Sequence, residues 1–218
     1  MSEPKTILRF TKTERFTHWV HGFSFVLLLF TGLGVLSMSF RPAMDIFGGI
    51  EVTRNIHRVV AVIFGVSIIA VLLIKSGRPV REWIRDCFKF TLDDYKHAIN
   101  FPIEFFGGHK PFPPQGKFNG GEKINSLITI FGTVCIGISG ILIWIGSSTL
   151  PVWVIQWAYP IHAGFALLMT ALLIAHMYLG LLHPDSNQAF KGMINGYVPA
   201  KFAREHYEKW FDKQNISG

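Results

Sequence analysis

Three histidines stand in "PIHAGFALLMTALLIAHMYLGLLH", residues 160–183, a run without Asp, Glu, Lys or Arg. Ionisable side chains inside an apolar span are costly and mark function by default. His162 and His176 are 14 residues apart. On an α-helix that is about 21 Å and nearly four full turns, so they share one face at two depths. His18, near the start of the first apolar block, and His57, near the start of the second, match those depths: His18 with His176, His57 with His162. Two pairs on neighbouring helices are what two bis-imidazole haems need, because a neutral imidazole nitrogen binds haem iron axially. Gly32, Gly65 and Gly164 would leave room for the macrocycles. A non-haem metal centre needs ligands at one depth, usually with carboxylates, and the spans offer none suitably placed and no H-E-x-x-H. A haem-free proton or ion transporter, with histidines as relay, is the alternative of a different class; a midplane Asp or Glu would normally accompany it. No C-x-x-C-H is present, which speaks against covalent c-type haem.

The remaining histidines carry weaker signals. His21 lies one turn from His18 and could replace it as ligand, but helical geometry favours packing at a haem edge. His183 is seven residues past His176 on the same face and reads as an interfacial histidine. His97, His109 and His206 show no ligand pattern.

The elements that must position these ligands follow from composition. Of the 218 residues, 50% are hydrophobic and 16% charged, a poor balance for a soluble domain. The apolar residues gather at 16–40, 56–74, 124–150 and 152–183, each long enough to cross the hydrocarbon core as a helix. In lipid the backbone must satisfy its own hydrogen bonds. The expected fold class is therefore an all-α integral membrane protein: one domain over 1–218, a four-helix bundle with spans at about 16–38, 53–75, 124–146 and 160–183, and a polar tail at 184–218. The last span is expected to start at Pro160, since proline suits a first helical turn. Trp153, Trp157 and Tyr159 are then left in an outer aromatic belt. Between the second and third spans, Val80, Trp83, Ile84, Cys87 and Phe88 follow helical spacing opposite Arg81, Arg85 and Lys89, an amphipathic helix at the interface. The rest of 76–118 reads as loop, ending in an irregular Gly/Pro segment at 107–123. The tail is polar and mixed apart from Trp210 and Phe211, and suits docking on a cytoplasmic subunit, with a merely solvated tail as the alternative.

Net charge is +7, and its distribution argues for topology, not for nucleic acid. Eighteen Lys/Arg lie before the first span, from the end of the second to the start of the third, or after the fourth, against three, Arg41, Arg54 and Arg58, on the other side. By the positive-inside rule the N and C termini and the middle loop are cytoplasmic. Cys87 and Cys135 cannot form a disulfide framework.

The chain resembles the cytochrome b (gamma) subunits of membrane-bound respiratory formate dehydrogenases, from "RFTHWVHGFSF" to "AFKGMINGYVPAKFAREHYEKWF". "GKFNGGEKIN" at 116–125 and "YPIHAGFALLMTALLIAHMYLG" at 159–180 are the most specific parts. The wider superfamily includes cytochrome b subunits of nickel–iron hydrogenases and thiosulfate reductases, the alternative partners. The resemblance implies two haem b groups in the bacterial inner membrane, with His57 and His162 on the outer haem and His18 and His176 on the inner one. It implies an iron–sulfur (beta) subunit outside, and through it a molybdenum or tungsten catalytic (alpha) subunit in a complex that can form a higher oligomer. It implies a menaquinone site on the cytoplasmic side bounded by Asn119, Gly121, Glu122 and His176, with electron transfer to quinone as this chain's share of the oxidoreductase. The family often has Gln at Glu122 and Ala at Gly120. Glu122 could hydrogen-bond or protonate a quinone oxygen; an acid at the start of a helix is equally what the helix dipole favours.

Overall fold

The computed structural model describes residues 5–106, 108, 110–146, 148–184 and 186–216; Gly107 and His109 of the Gly/Pro segment lie outside them. In chain order the elements are β1 (Thr6–Leu8), α1 (Lys12–Leu36), α2 (Ile50–Leu73), α3 (Arg78–Cys87), α4 (Leu92–Phe105), α5 (Gly120–Gly146), α6 (Val152–Met177), α7 (Gln188–Asn195), β2 (Tyr197–Pro199), α8 (Ala200–His206) and α9 (Glu208–Ile216). A 3₁₀ stretch, Met38–Phe47, links α1 to α2, and a π-helical turn, Tyr178–Leu182, follows α6.

Helices α1, α2, α5 and α6 are long and apolar enough to cross a membrane. Their 24 to 27 residues correspond to about 36–40 Å, beyond the ~30 Å hydrocarbon core. Large apolar side chains such as Phe23, Val59, Ile69, Ile138, Leu167 and Ile174 are exposed along them, which suits a lipid solvent.

The last span departs from expectation. α6 starts at Val152, so Pro160 sits inside the helix and Trp153, Trp157 and Tyr159 lie on its first turns. Proline removes one ladder hydrogen bond, and spanning helices tolerate that loss where neighbouring groups compensate. The π-helical turn changes the far end as well. His183 N–H bonds the Tyr178 carbonyl at 3.0 Å, an i→i+5 closure that ends the α-helical register relating His183 to His176. His183 instead stacks on Phe105, with centroids 6.0 Å apart at 17°.

The chain gathers into two compact units. One comprises Phe16–Gly77 and Phe131–Ile174; the other comprises the residues up to Arg15, Arg78–Ile130, and those from Ala175 onward. In the latter, β1 and β2 pair antiparallel with Ile7 opposite Val198, so the two terminal segments lie side by side. Gly196, at φ 96°, closes α7 in the left-handed conformation that glycine adopts without strain. Its carbonyl accepts Arg9 and Phe10 N–H at 2.8 and 3.1 Å.

The polar tail builds its own core. Val198, Ala200, Phe202, Ala203, Tyr207, Trp210 and Phe211 bury one another, with Ile7 and Ala189 against them. Trp210 and Phe211 are therefore taken up internally. In α3, Val80 and Cys87 are buried and Trp83 Nε1 donates to Ser126 of α5 at 3.3 Å, so part of its apolar face packs on protein. The loop expected after it contains α4, opened by a capping box: Thr91 N and Oγ1 both donate to Asp94 Oδ2 at 2.7 Å, and Thr91 Oγ1 accepts from Asp94 N.

Candidate haem and quinone sites

Within the unit formed by 16–77 and 131–174, His57 of α2 and His162 of α6 come together, ring centroids 6.3 Å apart at 64°. Imidazole nitrogens bind metals at about 2.0–2.1 Å. A five-membered ring with bonds near 1.33 Å has a radius of roughly 1.1–1.2 Å. Two axial imidazoles across one metal ion thus place their centroids about 6.2–6.6 Å apart by those bond lengths. The observed spacing falls in that interval.

Each ring is held by a hydroxyl on the preceding helix. Thr31 Oγ1 of α1 donates to the Leu27 carbonyl at 2.7 Å, with Leu28 O at 3.2 Å. Its single hydrogen is thereby used, so towards His57 Nδ1, 2.9 Å away, the hydroxyl oxygen accepts and Nδ1 carries the proton. Ser139 of α5 repeats the arrangement: Oγ donates to Cys135 O at 2.6 Å and lies 3.2 Å from His162 Nδ1. That nitrogen also faces the Ile136 carbonyl at 3.0 Å, which only a donor satisfies. Both rings therefore have Nδ1–H and leave the Nε2 lone pair for a metal. Thr31 and Ser139 are fully or nearly fully buried.

Glycine follows each hydroxyl. A Cβ on Gly32 would stand 3.4 Å from His57 Cε1, and one on Gly140 would stand 3.1 Å from His162 Cε1. Gly32 thus lies in ordinary contact with the His57 ring, and Gly140 more tightly against the His162 ring, while nothing stands within 4 Å of a Cβ on Gly65 or Gly164. Among the described residues, no three His, Cys, Asp or Glu side chains form a metal-holding group. Two imidazoles brought together in this way would suit a haem, whose macrocycle supplies four nitrogens of its own.

The other predicted ligands, His18 and His176, belong to different units. His18 is in α1, its ring edge-on to Trp19 at 5.2 Å. His21 Nδ1 lies 2.7 Å from the Thr17 carbonyl, its Nε2 lies 3.4 Å from Ser67 Oγ, and its ring packs edge-on to Phe64. His176 is near the end of α6, in the unit that holds the 119–122 segment, and within electrostatic reach of Glu122.

Asn119 and Glu122 cap α5 reciprocally: Asn119 Oδ1 accepts Glu122 N–H at 2.9 Å, and Glu122 Oε2 accepts Asn119 N–H at 2.9 Å. Glu122 Oε1 takes Arg9 Nη2 at 3.1 Å and Tyr207 OH at 2.8 Å. Arg9 is 2% exposed and stacks on Tyr207, Cζ 3.7 Å from the ring centroid. Burial opposes Arg9's charge, but Tyr207 and Glu122 outweigh it and raise its pKa. Burial also pushes the Tyr207 phenol up, with Glu122 adding to the rise. Lys117 and Glu14 form a neighbouring pair at 2.6 Å. Gly121 leaves space, its nearest neighbour being Asn119 Oδ1 at 3.5 Å, whereas Gly120 lies against the Asp94 backbone of α4. Sequence reasoning counted Arg9 as a topology charge and missed Tyr207. The Asn-x-x-Glu spacing at 119–122 was the signal for the cap, and nothing in the local sequence announces a partner 85 residues away.

Four apolar helices and two imidazoles brought together within one unit are features that a membrane cytochrome of the b type would need. The chain belongs to the prokaryotic cytochrome b561 family, which it matches over residues 9–196. It is 28% identical over 213 residues to the formate dehydrogenase cytochrome b556(fdo) subunit of Escherichia coli K12, covering 97% of this chain and 94% of that one. It is 24% identical to the nitrate-inducible formate dehydrogenase cytochrome b556(Fdn) subunit of the same strain, covering 97% and 93%. The formate dehydrogenase cytochrome b556 subunit of Haemophilus influenzae is 21% identical, covering 100% and 87%.

Proposed function

We propose that this chain is the dihaem cytochrome b subunit of a formate dehydrogenase complex in a bacterial inner membrane, carrying electrons to menaquinone. The observation that carries the proposal is the His57–His162 pair, 6.3 Å between centroids, with both Nδ1 atoms committed as donors. A haem held there supplies a one-electron carrier within the membrane. His57 and His162 would ligate the outer haem. His18 and His176 are assigned to the inner one from helix register, 14 residues or about 21 Å from His162 to His176. An iron–sulfur subunit on the outer face would deliver electrons from a molybdenum or tungsten subunit that oxidises formate. That three relatives matching nearly the whole chain are cytochrome b556 subunits of formate dehydrogenases supports such a complex.

Quinone would bind where Asn119, Gly121, Glu122 and His176 are assigned. Arg9 and Tyr207 fix the Glu122 carboxylate there, and Gly121 leaves room beside the α5 N-terminus, whose N–H groups favour a partially negative oxygen. Quinone reduction consumes protons, which would be drawn from the cytoplasmic side, with Glu122 held as a carboxylate by Arg9 and Tyr207. The charge count of 18 against 3 puts this face in the cytoplasm. The test is a dithionite-reduced minus oxidised spectrum of the purified chain, with haem counted per polypeptide, followed by addition of a menaquinone analogue. About two b haems, reoxidised by the quinone, are expected by the four-ligand assignment. A colourless chain from haem-replete cells would overturn the proposal.

A further inference from the structure

Two positions in α1 and α5 share one device: a hydroxyl residue followed by glycine, Thr31-Gly32 and Ser139-Gly140. In each, the hydroxyl hydrogen is spent on the carbonyl four residues back, and the oxygen is presented to an imidazole Nδ1, at 2.9 Å for His57 and 3.2 Å for His162. The following glycine faces the ring: a Cβ on Gly140 would crowd His162 Cε1 at 3.1 Å, and one on Gly32 would be in contact with His57 Cε1 at 3.4 Å. Helix stability does not explain the choice, because back-bonded Ser and Thr slightly weaken a helix. Nor do these residues serve solubility, being 0% and 2% exposed.

We infer that Thr31 and Ser139 are positioning residues that fix the Nδ1–H tautomer of His57 and His162 and so tune the potential of the haem these histidines hold. The inference rests on the outer-haem assignment made above. A ligand imidazole whose far N–H is accepted by oxygen becomes a stronger donor through Nε2. Stronger donation favours ferric over ferrous iron, so the two hydroxyls hold the potential down. Each ring keeps a carbonyl as second acceptor, Leu28 for His57 and Ile136 for His162. Either hydroxyl alone therefore contributes part of the effect, and the two together contribute the whole.

The experiment is an optical redox titration of the full-length chain in native membranes, with low-temperature electron paramagnetic resonance of its ferric haems. Thr31→Val and Ser139→Ala each raise the potential of one haem, the one lost in His57→Ala. The double variant changes its ferric-to-ferrous ratio at fixed potential about tenfold, which is 59 mV for one electron. The ferric signal of that haem shifts with it. Thr31→Ser, which keeps the hydroxyl, retains the wild-type potential. If Thr31→Val arrives without that haem while Thr31→Ser retains it, the hydroxyl is again shown to matter. A double variant with full haem, unchanged potential and unchanged signal would overturn the inference alone. So would Thr31→Ser behaving like Thr31→Val, because the methyl group and not the hydroxyl would then be at work. If instead His57→Ala and His162→Ala fail to remove the same haem, the outer-haem assignment itself falls.

Discussion

Replacing Gly120 with alanine tests the packing under the proposed quinone site. An alanine Cβ there would lie 2.0 Å from the Asp94 carbonyl oxygen and 2.8 Å from its carbon, both backbone atoms of α4. Reaching the 3.4 Å of ordinary contact from 2.0 Å requires a shift of about 1.4 Å between rigid helix ends. Asp94 cannot yield without losing its bond to Lys123, 3.1 Å long, between side chains 5% and 6% exposed. Breaking a buried ion pair costs about 3–5 kcal/mol and overpacking about 1–3 kcal/mol. Alanine's helix propensity returns at most about 1 kcal/mol. The clash wins, and partial relaxation leaves a net loss of about 3 kcal/mol. For a chain of this size that lowers the melting temperature by roughly 6–12 °C. Gly121→Ala is the matched control, meeting only Asn119 Oδ1 at 3.5 Å, and should melt with the wild type or up to about 4 °C above it. The assay is thermal unfolding of the detergent-solubilised full chain, followed by tryptophan fluorescence. Gly120→Ala melting within about 2 °C of Gly121→Ala would refute the close approach of α4 to α5.

Three further outcomes follow. Burial, with His206 adding to it, lowers the pKa of His97 below its ordinary 6.5 against the opposing pull of Glu122 and Asp94. The folded chain then resists protonation, so stability is full above pH 6.5 and declines as pH falls below it; His97→Phe should lessen that decline in melting temperature between pH 7.5 and about 5. Burial alone would raise the pKa of Asp94, but Thr91 and Lys123 hold it below 3.8, so its share is lost only as pH falls through and below that value. Glu122→Gln keeps an acceptor for the Asn119 cap but removes the charge facing Arg9. The expected loss is about 1.5–3 kcal/mol in thermal unfolding, with haem content unchanged. Gly140→Ala crowds His162 Cε1 at 3.1 Å and should remove or spectrally shift one haem while leaving the other, as read in a reduced-minus-oxidised spectrum.

The spans were legible because bilayer thickness imposes length and apolarity directly on the residues. Histidine depth was legible for the same reason: His162 falls among residues where an imidazole has no ordinary use. The start of α6 was not, because the rule that welcomes Pro160 in a first turn competes with the tolerance of spanning helices for an internal proline. α4 was hidden by Pro102 and by mixed polar residues, although Thr91 and Asp94 already stand at capping-box spacing. The tail core was missed because Val198, Phe202, Tyr207 and Phe211 are dispersed among charges. Pairing of β1 with β2, which joins positions nearly 200 residues apart, leaves no local trace. Thr31 and Ser139 read as ordinary small residues, since their meaning depends on which ring lies across from them. Of the candidate site, the meeting of His57 with His162 was suggested by depth, while the hydroxyls beside them required the fold.

The central claim is that four histidines hold two haems in the pairs His57 with His162 and His18 with His176. The measurement that tests it most directly is haem content and spectrum across the four single alanine variants of the full-length chain. The account predicts that His57→Ala and His162→Ala lose one and the same haem, that His18→Ala and His176→Ala lose the other, and that each variant retains its remaining haem. Loss of both haems or of neither in His57→Ala and His162→Ala, in chains that insert normally into the membrane, would contradict it.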